Sequence, residues 1–211
     1  MRGGEAVADA LFGVFSPGGK MPYTTYAPAY AAMYNFTNMS IAAPQAYVAA
    51  DGSARVTPGG RTYRYYAGGD ELWPCFWGLS YTNFSLSWAT PQPPAPLTLT
   101  PAAPNATLTV VLENVGARDG DEVVLLFAVP VAGTFGARPP PFLPARSLVG
   151  FARRSLAAGG RATLAFQVAA EDALALTQAD GSRAPINGGA FSLAVGTGPA
   201  QPAVALSLIH I

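Results

Sequence analysis

Arg61, Tyr63, Arg64 and Tyr65 fall within one run of five residues, RTYRY. Alternating cations and aromatic rings suit a sugar site: rings stack on the apolar face of a pyranose and guanidinium groups donate to its hydroxyls. The same side chains can instead glue a seam between two folded parts, and that plainer reading is favoured. Other chemistries find less support. The single histidine, His210, is next to the C-terminus, where a base for a Ser-His-Asp or Cys-His nucleophile cannot be held in place. Zinc needs three or four His, Cys or carboxylate ligands, and these are scarce and dispersed. Asp119, Asp121 and Glu122 could begin a calcium loop, but the remaining ligand positions are missing. A solvated turn leading into Val123–Leu126 is expected there. Gly18-Gly19-Lys20 lacks the Ser/Thr of a phosphate loop, since Met21 stands in its place. Glu5/Asp9 and Asp70/Glu71 are carboxylate pairs of the type used in glycoside hydrolysis. Neither pair straddles a visible cleft, so both are expected on the surface. No catalytic residue, metal site or cofactor is therefore expected in this chain.

These residues sit in Gly60–Phe84, which has the densest aromatic cluster of the chain: Tyr63, Tyr65, Tyr66, Trp73, Phe76, Trp77, Tyr81 and Phe84. So much ring area must be buried between elements or line a cleft, and the stretch reads as a joint. Upstream, Glu5–Phe12 has the i, i+4 spacing of a short helix with a small-residue face. Gly13 ends it, and Ser16-Pro17-Gly18-Gly19 turns the chain. Lys20–Tyr26 reads as an edge strand because Pro22 cannot donate to a ladder. A helix, a turn and a strand make half an α/β unit, whose parallel neighbours are expected elsewhere, upstream of this chain. Ala27–Gly59 is expected to be a long irregular loop, with Asp51–Gly60 a mobile insertion.

Downstream of Tyr81 the period changes to two. Strands are expected at Asn83–Trp88, Leu97–Thr100, Ala106–Asn114, Glu122–Val129, Arg146–Arg153, Arg161–Val168, Ala190–Gly196 and Val204–Ile209. A helical turn is expected at Glu171–Leu176. Short strands with turn signals between them predict an immunoglobulin-like or fibronectin type III-like β-sandwich. The expected fold is mainly β: a sandwich over residues 81–208, preceded by an incomplete α/β fragment over residues 1–80.

Only 11% of residues are charged and half are hydrophobic, against about 25% charged in an average domain. Much surface must be buried, or covered by something else. One lysine and eleven dispersed arginines do not form the basic footprint of a nucleic-acid binder. No apolar run reaches transmembrane length. Of six asparagines, four open N-x-S/T sequons, Asn35, Asn38, Asn83 and Asn105, where chance would supply roughly one. That excess favours a secreted or vacuolar protein. Cys75 is the sole cysteine and cannot form an internal disulfide.

Gly4-Glu5-Ala6 with Ala8-Asp9-Ala10-Leu11-Phe12-Gly13 resembles the helix motif near the end of glycoside hydrolase family 3 proteins, the β-glucosidase and β-xylosidase family. Ser16-Pro17-Gly18-Gly19-Lys20-Met21-Pro22 resembles the turn that follows it. Gly60-Arg61-Thr62-Tyr63-Arg64-Tyr65-Tyr66 and Gly78-Leu79-Ser80-Tyr81-Thr82-Asn83-Phe84 are similar to two further signatures. Asp119–Val124, Leu148–Arg153 and Gly189–Gly196 resemble the family's closing fibronectin type III-like domain. The chain departs from the pattern at Phe76, where the family has a glycine, and a changed local backbone is expected there. Ser207–Ile211 matches no family pattern.

The resemblance implies a parent enzyme that hydrolyses β-linked sugars with retention. Its nucleophile would lie in an N-terminal barrel and its acid/base in an earlier part of the α/β sandwich. No position here matches either, so this chain alone is expected to be inactive. It would meet its β-linked oligosaccharide substrate through the upstream domains, with no nucleic-acid or membrane partner. Phe36-Thr37-Asn38-Met39 together with Arg61-Thr62-Tyr63-Arg64 looks more like the β-xylosidase branch. The alternative is a non-catalytic fibronectin-like carbohydrate-binding or adhesion module. The two differ in one observable: a fragment should leave apolar side chains bare over the first helix, Met21, Tyr23 and the Tyr63–Trp77 run.

Overall fold

The computed structural model describes residues 3–34, 37, 39–42, 46–48, 51–56, 60–66, 71–89, 97–98, 105–135, 143–169, 175–177, 182–185, 189–198 and 204–210. It is mainly β, with fourteen strands and three short helices among the described residues. The sandwich has a three-stranded sheet of β10 (Arg161–Ala169), β7 (Asn105–Asn114) and β5 (Phe84–Trp88), in that order. Facing it is a five-stranded sheet of β6 (Leu97–Thr98), β14 (Val204–His210), β13 (Ala190–Gly196), β8 (Gly120–Pro130) and β9 (Ser147–Leu156). Pairing is antiparallel except between β14 and β6. The alternation in β7 has the expected consequence: Leu108, Val110 and Leu112 point inward and are buried, while Thr107, Thr109 and Val111 are not. They meet Leu164, Phe166 and Val168 of β10 and Val124, Leu126, Leu193 and Val195 of the opposite sheet in one core. All eight expected sandwich strands are present, with ends shifted by up to three residues. The Ser207–Ile211 tail, although it matches no family pattern, contributes its backbone to β14 as far as His210.

One corner is held by a side chain that is no part of the apolar core. Asn114 is fully buried at the end of β7. Its Oδ1 accepts from the Thr82 hydroxyl at 2.7 Å and the Gly116 N–H at 3.1 Å. Its Nδ2 donates to the carbonyls of Arg118 at 2.7 Å and Leu156 at 3.2 Å. Asn114→Ala would strand several of these buried groups at once, each costing about 1–3 kcal/mol. A loss of about 3 kcal/mol or more in urea unfolding is expected; a loss below about 1 kcal/mol would show that water replaces the amide.

The first part of the chain differs more from expectation. Helix α1 (Gly3–Leu11) forms as expected but buries none of its residues. Of the strand expected at Lys20–Tyr26, only β1 (Thr25–Tyr26) forms, and it pairs antiparallel with β4 (Glu71–Trp73). The Lys20–Pro22 end instead makes a tight exchange with the Trp77 loop: Met21 N–H donates to Trp77 and Phe76 N–H to Met21, both at 2.7 Å. Ala27–Gly59 is not one irregular loop. Pro28, at a position where a helix tolerates it, starts α2 (Pro28–Met33). Then β2 (Ala46–Val48) and β3 (Ala54–Val56) form a hairpin, so the expected mobile insertion is in part paired backbone. Asp51 accepts from Ser53 and Arg55 between these strands and stabilises the turn locally. Of the expected helical turn at Glu171–Leu176, residues 171–174 lie outside the described residues. Its end belongs instead to β11 (Ala175–Thr177), paired with β12 (Arg183–Pro185).

Candidate functional site

The Arg61–Tyr65 run is built on a tyrosine cluster. Tyr26, Tyr30 and Tyr34 recur every fourth residue, and with α2 between them their rings meet. Tyr26 stacks on Tyr30 at 3.9 Å between centroids, Tyr34 follows at 4.3 Å, and Tyr66 meets Tyr30 edge-on at 5.0 Å. The hydroxyls of Tyr30 and Tyr34 both donate to the Gly60 carbonyl, at 3.0 and 2.9 Å. The Tyr26 hydroxyl accepts from the Thr62 N–H at 2.6 Å. Burial, then the neighbouring Tyr34 and Tyr26, push the Tyr30 phenol far above its ordinary range, so it remains a donor at any physiological pH. Held in this way, Thr62–Tyr65 forms a single helical turn, α3, with Arg61 as its extended N-cap.

Arg61 turns back onto the cluster. Its N–H donates to Ile41, its Nη2 donates to the Ser40 carbonyl at 2.9 Å, and its guanidinium lies 5.9 Å from the centre of the Tyr34 ring. Tyr63 points toward the sandwich, edge-on to Phe76 at 5.1 Å and to Phe127 of β8 at 6.1 Å. Arg64 lies over Tyr65, and its carbonyl accepts the Ala145 N–H at 2.7 Å. The four side chains do not converge on one opening. The recess beside Tyr63 holds about 60 Å³ and is lined by Thr24, Thr62, Tyr66, Glu71, Pro74, Cys75 and Arg146. That is room for a few waters, far below the ~300 Å³ of small-molecule sites. Burial raises the pKa of the Cys75 thiol there, which keeps it protonated and unreactive.

Phe76 carries the departure noted in the sequence. Its φ is 67°, the left-handed region that suits glycine, and Thr62 has φ 68°. Each costs roughly 1–2 kcal/mol of backbone strain. Phe76 thus takes a left-handed turn conformation that glycine adopts without strain, and its ring packs 5.8 Å from Phe127.

The joint continues along β8 with polar contacts. Lys20 Nζ meets Glu122 Oε1 at 2.7 Å, with side chains 14% and 8% exposed. Glu122 is thus a buried partner rather than part of a solvated turn. Arg118 donates to the Gly13 carbonyl at 2.7 Å and lies over Tyr81, whose hydroxyl donates to Ala10 at 2.9 Å. Ser16 and Ser80 hydroxyls are 2.8 Å apart. Nothing in the local sequence marks Lys20 and Glu122 as a pair, because they are far apart in the chain. The i, i+4 tyrosines were a readable signal that the aromatic run beyond Gly60 masked.

Among the other candidate positions, Asn83 and Asn105 are exposed; Asn35 and Asn38 lie outside the described residues. Among the described residues no three His, Cys, Asp or Glu side chains form a group that could hold a metal ion, and no helix is long and apolar enough to cross a membrane.

Residues 122–198 match the family model of the fibronectin type III-like domain. The exo-1,4-β-xylosidase bxlB of Emericella nidulans is 33% identical over 165 residues, which is 73% of this chain and 19% of that protein. A solved GH3 exo-β-xylosidase (XlnD), in complex with a xylobiose aziridine activity-based probe, superposes with a TM-score of 0.76 at 25% identity. The match covers 99% of this chain and 26% of that one. The GH3 β-glucosidase of Bifidobacterium adolescentis superposes at 0.72 and 25% identity, covering 99% and 28%. This chain is a glycoside hydrolase family 3 relative. The GH3 likeness runs beyond the sandwich, since the structural matches include α1, the tyrosine cluster and the joint. The chain spans about a fifth of the curated relative's length and about a quarter of the solved ones.

Proposed function

We propose that these 211 residues are the closing part of a retaining, exo-acting β-glycosidase of the β-xylosidase type, active in xylan breakdown. Residues 1–80 are the end of its α/β sandwich, and 81–208 its fibronectin type III-like domain. The nucleophile and acid/base belong to parts of the enzyme outside this chain. The observation that carries this reading is the bare face of the first segment. Leu11 is 73% exposed, Phe12 87% and Val14 72%, on and just after a helix that buries nothing. Tyr23, Leu72 and Trp73 are exposed as well, whereas Met21, Tyr63, Phe76 and Trp77 are half-buried and Tyr66 and Cys75 are buried, so the bare face is smaller than the one expected. A self-contained module would bury such side chains; a segment that packs against more of the same polypeptide leaves them bare when seen alone.

The sequons support a secreted, extracellular or vacuolar setting, with glycans at Asn83 and Asn105 and also at Asn35 and Asn38. The reading is tested by assaying aryl β-xyloside and aryl β-glucoside hydrolysis with this chain alone and with the longer protein encoded around it. The expected result is activity of the longer protein, favouring the xyloside, and none for the chain alone. Turnover by the isolated chain, or none by the longer protein, would refute it.

A further inference from the structure

A second cleft lies away from Arg61–Tyr65. It holds about 690 Å³ between the Gly13–Gly18 turn and the β8–β9 pair, within the size range of ligand sites. Its charged lining is two guanidiniums, Arg118 and Arg153, and two carboxylates, Asp119 and Asp121, so their charges cancel. These groups are already held in place. Asp121 Oδ2 accepts from Nε and Nη2 of Arg153 at 3.1 and 2.5 Å, and its Oδ1 from the Ser155 hydroxyl at 2.5 Å. Asp119 Oδ1 accepts the Ala158 N–H at 3.0 Å. Ser155, then Arg153, hold the Asp121 carboxyl below its ordinary range, which keeps it an acceptor. A guanidinium has five N–H groups, and these contacts leave some of them for a ligand. On one wall the Phe15 ring is 48% exposed; on β9, Phe151 is 73% exposed. Phe151, Arg153 and Ser155 alternate along β9 and so share a face, about 6–7 Å apart from one to the next.

We propose that this cleft and Phe151 form a non-catalytic binding site for a short neutral oligosaccharide. A neutral ligand fits a lining whose charges cancel. A polyhydroxylated one fits ion-paired carboxylates and guanidiniums that offer acceptors and donors side by side. A ring with an apolar face fits the two exposed phenyl rings. Because the polar groups are fixed before the ligand arrives, little ordering cost remains on binding. That the sugar is a β-linked pentose or hexose chain rests on the function proposed above.

The test is a titration of the 211-residue chain with β-1,4-xylotetraose and cellotetraose, followed residue by residue by NMR. Saturable shifts centred on Asp121, Arg153, Ser155 and Phe151 are expected with at least one of them. Phe151→Ala and Arg153→Gln should each weaken binding about tenfold, with spectra that otherwise remain dispersed. Arg55→Gln, at an exposed position of β3, should leave binding unchanged. No saturable shift, shifts centred elsewhere, or an affinity in both cleft variants unchanged from that of the unaltered chain overturns the proposal. So does loss of the site in the longer protein, which would mean that polypeptide fills the cleft. None of these outcomes bears on hydrolysis by the longer protein, so the two readings fail separately.

Discussion

Gly60→Ala is expected to unfold the first part of the chain while leaving the sandwich folded. Gly60 has φ 69°, and a Cβ there would lie 2.3 Å from the Tyr65 carbonyl oxygen and 2.5 Å from its carbon. Both obstacles are backbone, so no side chain can swing aside. The left-handed conformation alone costs alanine about 1–2 kcal/mol. Shifting the turn to relieve the clash also breaks the two hydroxyl contacts to the Gly60 carbonyl from Tyr30 and Tyr34, at about 1 kcal/mol each or more. The total, about 4 kcal/mol or more, is a large share of the stability of a small unit. Near-UV circular dichroism from the stacked tyrosines should collapse, and amides of Tyr26–Tyr66 should exchange freely while β7 and β8 stay protected. Unchanged exchange over Tyr26–Tyr66 would show that the turn adapts.

The second large effect is at Lys20 and Glu122. Lys20→Met leaves the Glu122 carboxylate, 8% exposed, with the Val123 N–H as its remaining hydrogen bond. Removing one partner from a buried pair costs about 3–5 kcal/mol. Replacing both, as Lys20→Met with Glu122→Leu, removes the buried charge as well and should recover most of that loss. A double-mutant cycle in guanidinium chloride measures the coupling. Protease cleavage in residues 13–24 should rise in the single variant and fall back in the double. A double variant as unstable as the single would show that the loss does not come from the stranded Glu122 charge.

The sandwich was legible because its information is local. A Thr-Leu-Thr-Val alternation such as that of β7 assigns a face to each side chain, and glycine or proline marks each turn, whatever lies elsewhere in the chain. The first part was less legible because its order depends on distant contacts. Two-residue β1 has too short a pattern to be read, and it exists because Glu71–Trp73 comes to it from another loop. The 25-residue aromatic stretch Gly60–Phe84 was readable as a joint from ring density alone, but which rings face which element was not. Tyr63 and Phe76 meet Phe127, whereas Tyr66 belongs to the other cluster. The buried role of Glu122 was hidden by its neighbours Asp119 and Asp121, which suggest a wet turn. The cleft above β8 and β9 had no sequence signature, since its walls come from three separate parts of the chain.

The contacts of Tyr63 and Phe76 with Phe127, and of Arg64 with Ala145, bear on how relatives of this chain could be recombined. A chimera spliced at residue 81 would import a foreign sandwich against rings shaped for this one, and its two halves would meet with mismatched surfaces. A crossover that carries Lys20–Tyr26 and Gly60–Phe84 along with the sandwich would keep the interlock whole. In this molecule the natural unit of exchange is the sandwich with its socket.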